Sequence, residues 1–145
     1  MIEAVEGLRF LEATLRASTA FMNSIPGGLY RGYNTKLPQG VFPDQIFCVF
    51  SYAAGGDIAG GGGVRIAVNG VFVAQCIGPG SDLDTLSTVA GLMDDLIQGA
   101  KGTTSTGTIY YLLRERDLVL DENINNRLVS HLGGYYRSLL QKSGS

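Results

Sequence analysis

The sequence has little of the side-chain chemistry that most enzymes use. It contains one histidine and two cysteines, and its 11 Lys and Arg residues are slightly outnumbered by 13 Asp and Glu residues. Proteins that grip nucleic acid need a concentrated basic face, which scattered basic residues and a formal charge of −2 do not provide. No segment approaches the roughly 18 consecutive apolar residues of a membrane-spanning helix. These absences exclude a charge-driven nucleic-acid binder and predict a chain without membrane contact.

The few residues suited to chemistry stand apart from one another. His131 lies in an apolar stretch with no other metal-type ligand close in sequence, and no Gly-x-Ser-x-Gly turn marks a hydrolase nucleophile. Cys48 and Cys76 each lie inside an apolar run, which favours two buried, reduced thiols. A disulfide between them is the alternative if their strands are neighbours. We therefore expect no enzyme, and no catalytic residue, metal ligand or cofactor site.

A glycine-rich run is the most unusual stretch of the chain. Residues 53–66 read AAGGDIAGGGGVRI. A phosphate-binding P-loop has Gly, four residues, then Gly-Lys and Ser or Thr, whereas Gly61 and Gly62 follow Gly60 here. Such loops also open a helix, and Val64 begins an apolar stretch typical of a strand. We therefore predict a flexible hairpin tip at about 53–63 that becomes ordered when it contacts a neighbouring subunit or another partner.

Apolar periodicity predicts the regular elements. Helical spacing occurs at 2–17 and again from Ser81 to about Gly99, with Ser81 as N-cap and Gly99 as the left-handed residue after the helix. Branched and aromatic residues predict strands at 46–53, 64–78, 106–120 and 128–142. Asn69-Gly70 is either a hairpin turn or a kink in one long strand. The fold predicted is α+β, a mainly antiparallel sheet of about four strands with two helices packed on one face.

The whole chain, 1–145, is predicted to form a single domain. Prolines and glycines exclude a regular helix at about 23–44, which predicts an irregular arm suited to binding.

Two tyrosine doublets, Tyr110-Tyr111 and Tyr135-Tyr136, lie in the last two predicted strands. Neighbouring residues of a strand face opposite sides, so one tyrosine of each pair can enter the core while the other faces outward. An outward tyrosine beside Arg137 has the composition of a protein-binding surface. The alternative is that both doublets are ordinary residues at the edge of the core.

The C-terminal half resembles a known family. The segment IYYLLRERDLVLDE, followed by RLVSHLGGYYRSLL, is similar to the closing segment of the tail terminator, or tail-completion, proteins of long-tailed phages. The resemblance rests most on the run from His131 to Arg137. Upstream, the order is also similar: an N-terminal helix, Gly-Gly-x-x-Arg at 27–31, LPQGVFP before the first long strand, a glycine-rich turn, then Arg65. The likeness thus extends over nearly the whole chain.

This resemblance implies a non-enzymatic structural protein of the virion, made in the host cytoplasm and located at the head-proximal end of the tail. Such proteins cap the tail tube as a ring of six copies, end its growth and join it to the head-to-tail connector, while DNA passes through without specific binding. The implied partners are other copies of the chain, the tail-tube protein and the connector protein. Two alternatives stay open: another connector ring component of the head-closure type, and a small-ligand-binding domain that uses the glycine hairpin as a flap.

The residues predicted for subunit or partner contacts combine the candidate arm, the glycine tip and the last two strands. They are Tyr30, Arg31, Gly60, Gly61, Gly62, Gly63, Arg65, Arg114, Glu115, Arg116, Tyr136 and Arg137.

Overall fold

A curled sheet dominates the computed structural model, which describes residues 2–32, 44–59, 62, 65–104 and 107–142. The elements in chain order are α1 (Ile2–Arg16), α2 (Thr19–Ser24), β1 (Leu29–Arg31), β2 (Phe47–Ala59), β3 (Arg65–Pro79), α3 (Leu83–Ile97), β4 (Gly102–Thr103), β5 (Gly107–Ile124) and β6 (Arg127–Lys142). One 3₁₀ turn, Gly80–Asp82, leads into α3.

The sheet has six strands in the order β1-β2-β3-β6-β5-β4. β1 runs parallel to β2, and every other neighbouring pair is antiparallel. The prediction of about four antiparallel strands with two helices is therefore wrong, because the sheet is mixed and three α-helices accompany it. The missed elements have three residues in β1, two in β4 and six in α2. Segments this short are below the length at which apolar periodicity can be recognised.

The main core lies between the sheet and the helices α1 and α3. It contains Leu11 and Leu15 of α1, Leu86 and Met93 of α3, and Phe72 of β3, all nearly inaccessible to solvent. Each such side chain contributes about 1.5–3 kcal/mol through removal from water. The face of the sheet that carries these residues is called the helix face below, and the opposite one the open face.

The end of α3 is confirmed and its beginning corrected. Gly99 follows the helix with a φ of +79°, and its N–H donates to the carbonyl of Leu112 in β5 at 2.7 Å. This left-handed position favours glycine, as predicted. Ser81 lies within the 3₁₀ turn instead of capping the helix, and the N-cap residue is Asp82, whose side chain makes no capping hydrogen bond.

β3 passes through Asn69-Gly70 as one strand, so the hairpin interpretation is wrong. Its pairing with β6 continues without a register shift from Val68 to Pro79. Gly70 is needed for a different reason, since a Cβ there would lie 2.9 Å from Cε2 of Tyr52. The ring of Tyr52 therefore occupies the space that a side chain at position 70 would take.

The glycine-rich stretch begins as a strand. β2 continues to Ala59, with Gly55 opposite Gly70 in β3, so pairing extends well into the segment predicted as a tip. Of the following glycines the structure describes Gly62, which has a φ of +79°. Gly60, Gly61 and Gly63 lie outside the described residues. In the predicted arm, α2 ends at Ser24 and β1 follows at 29–31, whereas residues 33–43 lie outside the described part.

Candidate subunit interface

The hairpin of β5 and β6 exposes apolar side chains over a long stretch. The strands join at Asn125 and Asn126, whose φ angles of 51° and 63° are those of the tight turn that suits a twisted hairpin. Val119 is 69% exposed and its neighbour Leu120 48%, so the two faces of β5 each present an apolar residue. Leu128 on β6 is 49% exposed. Because these exposed apolar side chains are grouped near one end of a hairpin, this segment is a candidate protein-binding region. Residues 113–137 are called the outer hairpin, since Leu113 and Arg137 are register partners.

On the side that faces away from β6, β5 has few hydrogen-bonded neighbours in the described part of the chain. β4 pairs with it only at Thr108 and Ile109. Next to them, the carbonyl of Leu112 accepts from Gly99, and the N–H of Arg114 donates to Oε1 of Gln98 at 2.7 Å. Beyond Arg114, no strand in the described ranges pairs with this edge of β5. An unpaired strand edge is a template for a strand from another chain.

The opposite edge of the sheet shows the same property in β2. β1 pairs with only three residues of β2, Cys48, Val49 and Phe50. The N–H of Gly32 then donates to the carbonyl of Phe50 at 2.8 Å. Beyond Tyr52, from position 53 to Ala59, β2 has β3 on one side and no described strand on the other. Within the part of the chain that the structure describes, two long strand edges therefore have no neighbouring strand, one in β2 and one in β5, and they are called the free edges below.

Arg114 joins β5 to α3 at the base of the outer hairpin. Its Nη1 lies 3.0 Å from Oδ1 of Asp94, its Nη2 lies 2.7 Å from Oδ1 of Asp117, and Nη2 also donates to the carbonyl of Gly133 at 2.9 Å. Burial lowers the pKa of Arg114, whereas Tyr136 and Asp94 raise it, and the net shift is upward. The guanidinium thus stays charged and acts as an internal brace.

The predicted surface role of Tyr136 is corrected. Its side chain is fully buried on the helix face, and its hydroxyl donates to Oδ1 of Asp94 at 2.6 Å. Burial and the bond to Asp94 raise the pKa of Tyr136. The surface tyrosine of this doublet is Tyr135, which the prediction missed. Because successive side chains of a strand point to opposite faces of the sheet, the sequence shows that the two tyrosines face opposite ways. It does not show which of the two faces the helices.

A groove separates α3 from the outer hairpin. Its volume is about 320 Å³, and its lining includes Ala90, Gly91, Asp94, Asp117 and Val119. A Cβ added to Gly91 would meet no atom within 4 Å, so the helix presents open space there. A second groove of about 410 Å³ lies along Gln75, Arg116, Leu118, Leu120 and Tyr135, and it shares residues 117–119 with the first. Both grooves therefore reach the free edge of β5.

Three predicted residues come together on the open face. Nη2 of Arg137 lies 2.6 Å from Oε1 of Glu115, and its Nη1 donates to Oδ1 of Asn69 at 3.3 Å. The guanidinium of Arg116 lies 4.3 Å from the ring centroid of Tyr135, a cation–π contact. A register shift between Arg114 and Arg116 bends β5 at this point.

Tyr30 and Arg31 lie at the other end of the sheet, on β1. The hydroxyl of Tyr30 donates to the carbonyl of Gly27, and its ring meets Phe47 edge to face at 6.3 Å. Nη2 of Arg31 lies 2.6 Å from Oε2 of Glu12. Burial raises the pKa of Glu12. Hydrogen bonds from Arg31 and Arg16 lower this pKa by a larger amount, so the net shift is downward. The predicted residues thus form two separate surfaces on opposite edges. Arg65 begins β3, and its side chain lies outside the described part.

The lone histidine belongs to a buried polar cluster on the open face. Nδ1 of His131 lies 3.0 Å from Oε1 of Gln75, and its Nε2 lies 3.0 Å from Oε1 of Glu122. Burial lowers the pKa of His131, an effect that Glu122 opposes, and the net shift is downward. Within the described ranges, no three His, Cys, Asp or Glu residues are arranged to hold a metal ion.

The two cysteines are neighbours across β2 and β3. Cys48 and Cys76 are register partners, buried and free, and their Sγ atoms lie 3.4 Å and 3.8 Å from Sδ of Met93. The adjacent Cys76 thiol and burial raise the pKa of Cys48. Since the thiolate is the reactive form, Cys48 is an unreactive core residue.

Comparison with known proteins adds a structural relationship. No family model matches the sequence, and no curated protein matches it. A chain in the virion of a native gene transfer agent particle has a TM-score of 0.59 and 17% identity, over 90% of this chain and 91% of that one. The two chains share a fold. A second solved structure, which carries no functional name, has a TM-score of 0.50 and 14% identity, over 90% of this chain and 95% of that one. Among the described helices, none is both long and apolar enough to cross a membrane.

Proposed function

We propose that this protein is a non-enzymatic structural component of a phage-like virion, and that it acts as a tail terminator. In this role it caps the last layer of the tail tube as a ring, ends tube growth and provides the joint to the head connector. The observation that carries the proposal is the fold shared with a gene transfer agent virion chain over nine tenths of both chains. A relationship that extends over the entire domain favours a common structural role over a shared motif.

The finer assignment to the tail end rests on the sequence resemblance. The similar segment is the one that forms β5 and β6, including Arg114, Glu115 and the run from His131 to Arg137. In the fold this segment builds the outer hairpin and its base. This segment therefore carries several of the exposed apolar residues and one of the two free strand edges.

The surface is suited to ring formation. A ring needs a heterologous contact, in which one patch of each subunit meets a different patch of the next. The free edges of β2 and β5 lie on opposite sides of the sheet and differ in composition. A formal charge of −2 also suits a conduit through which DNA passes without being held.

The direct test is to image particles made without this protein. We expect tails of uncontrolled length that lack heads. Tails of normal length beside separate, leaking heads would favour a head-closure component instead. Intact, infectious particles would contradict both assignments.

Assembly gives a second test. Light scattering should detect rings of the purified protein, alone or after mixing with isolated tail tubes. Rings that form only on tubes would still support the proposal, since the tube end can act as template. A protein that remains monomeric in both conditions would contradict it.

A further inference from the structure

The hydrogen bonds of β5 establish which of its backbone groups point away from β6. In an antiparallel ladder, alternate residues direct both N–H and C=O toward the same neighbour. Leu112 and Arg114 direct theirs outward, to Gly99 and Gln98. The register shift between Arg114 and Arg116 moves this alternation by one residue. The outward-directed residues beyond it are Asp117, Val119, Asp121 and Asn123, all exposed.

The same reasoning applies to β2. The N–H of Cys48 donates to the carbonyl of Gly28, and the carbonyl of Phe50 accepts from the N–H of Gly32, so both groups are directed outward, toward β1 and its flanking glycines. A register shift between Tyr52 and Ala54 again moves the alternation by one residue. The outward-directed residues beyond it are Gly55 and Asp57. Both free edges thus present regularly spaced donors and acceptors that a further strand would satisfy.

The directions of the two edges are suited to pairing between copies. β2, β3, β6 and β5 are consecutive in the sheet and each pair is antiparallel, so β2 and β5 run in opposite directions. When one copy is related to the next by rotation about a ring axis, β2 of the next copy therefore runs antiparallel to β5. Pairing of two β5 edges would instead give a closed dimer with no ring.

The positions along the strands also agree with a closed ring. The ladders place Phe50 level with Asp117, so the free edge of β2 runs toward the glycine-rich tip and that of β5 toward the turn at Asn125. If the two edges pair, the next copy is displaced from the first along the strand direction by about six residues, roughly 20 Å. Across the strands, it is displaced by four strand spacings, roughly 19 Å. The strands then tilt by about 45° to the ring axis, close to the tilt of closed sheets. β4 lies next to a part of β5 that is not in the proposed contact. β1 pairs with β2 only as far as Phe50, so it meets the proposed contact only at one end.

The side chains near the two edges are compatible with close approach. Ala54, Gly55 and Gly56 on β2 are small and exposed. Ile58 is 38% exposed, and its partner Ala67 lies on the open face, as do Leu118 and Leu120. Pairing would therefore cover apolar groups of both copies and place small residues where the two sheets meet.

We infer that the free edge of β5, residues 117–122, pairs as an antiparallel strand with the free edge of β2 of the next copy. This inference rests on the proposed ring. The partner is thus a second copy of the chain, and the sheets of successive copies join into one continuous sheet. The glycine-rich half of β2 is an interface strand in this arrangement.

Proline substitutions at outward-directed N–H groups test the pairing. Val119→Pro and Asp57→Pro each remove an N–H that no partner within the described fold uses, and edge strands tolerate proline at such positions. Each variant alone should raise the concentration needed for half-assembly by about tenfold or more. The matched controls, Val119→Thr and Asp57→Asn, keep the N–H and should assemble like the unmodified protein.

Mixing the two proline variants gives the decisive measurement. Val119→Pro keeps an intact β2 edge and Asp57→Pro an intact β5 edge, so an equimolar mixture should form a dimer and stop there. Sedimentation velocity, with tail tubes added if the unmodified protein needs them, distinguishes monomer, dimer and ring. Circular dichroism checks that each variant is folded.

The outcomes separate this inference from the proposed function. If either folded proline variant formed rings at the same concentration as the unmodified protein, or if the mixture yielded no dimer, the edge pairing would be overturned and the terminator role left intact. An unmodified protein that never forms rings, even on tubes, would overturn both.

Discussion

The hydroxyl of Tyr136 donates to Oδ1 of Asp94 at 2.6 Å, which connects the middle of β6 to the last turns of α3. The same oxygen of Asp94 lies 3.0 Å from Nη1 of Arg114 on β5. One carboxylate therefore holds the helix against two strands at the base of the outer hairpin. If the hairpin forms subunit contacts, this network determines how rigidly it is presented.

Removing the Tyr136 hydroxyl should reduce stability. Tyr136→Phe keeps the buried ring but loses the hydrogen bond to Asp94, so the free energy of unfolding should fall by about 1–2 kcal/mol. Tyr110→Phe is the matched control, because that hydroxyl bonds Gln141 at an exposed position and should matter less. Urea unfolding measures both. Equal losses in the two variants would contradict a special role for the buried bond.

Two glycines should respond in opposite ways to alanine. A Cβ on Gly133 would lie 2.0 Å from the carbonyl oxygen of Ala74, so Gly133→Ala must separate β6 from β3 and should cost about 3 kcal/mol or more. Gly91→Ala adds a methyl group to an open position of α3 and should stabilise the protein by about 0.5–1 kcal/mol. Thermal unfolding of both variants checks this. A stable Gly133→Ala protein would contradict the close packing of β3 and β6.

The turn of the outer hairpin should be sensitive to the residue at position 126. Its φ of 63° lies in the left-handed region, which asparagine and glycine tolerate and β-branched residues do not. Asn126→Val should therefore destabilise by about 1–2 kcal/mol, whereas Asn126→Gly should be neutral or stabilising. Chemical denaturation of the pair gives the difference. A valine variant as stable as the glycine variant would argue against this turn.

The ion pairs of Glu12 should contribute to stability in a pH-dependent way. Hydrogen bonds from Arg31 and Arg16 lower the pKa of Glu12 in the folded protein despite its burial. The contribution of a group with a lowered folded pKa is present above its unfolded pKa and is lost as the pH falls through the folded value. The difference in melting temperature between the unmodified protein and Glu12→Gln should therefore shrink from about pH 7 to about pH 3. A difference independent of pH would contradict this.

Local sequence signals predicted the long elements well. The stripe of apolar residues indicated α3, and Gly99 ends that helix as expected. The four long strands coincide broadly with the apolar segments recognised in the sequence. The short elements β1 and β4 escaped recognition, because two or three residues carry no periodic signal.

The candidate interface was only partly predictable. Glu115, Arg116 and Arg137 were predicted as contact residues of two separate patches, and in the structure all three share the open face. Tyr136 was expected outward but lies in the core. Which tyrosine is buried depends on where the sheet meets α3, and that is a long-range property. The free edges of β2 and β5 left no mark in the sequence at all.

The sequence by itself determined the chain's limited chemistry, its long strands and helices, and a family resemblance, because composition and periodicity depend on residues close together in the chain. Only the tertiary structure decided which face each side chain occupies and which strand edges stay unpaired. Both depend on which distant strands become neighbours. Among the described strands, that order leaves one half of β2 and one half of β5 without a neighbouring strand, on opposite sides of the sheet.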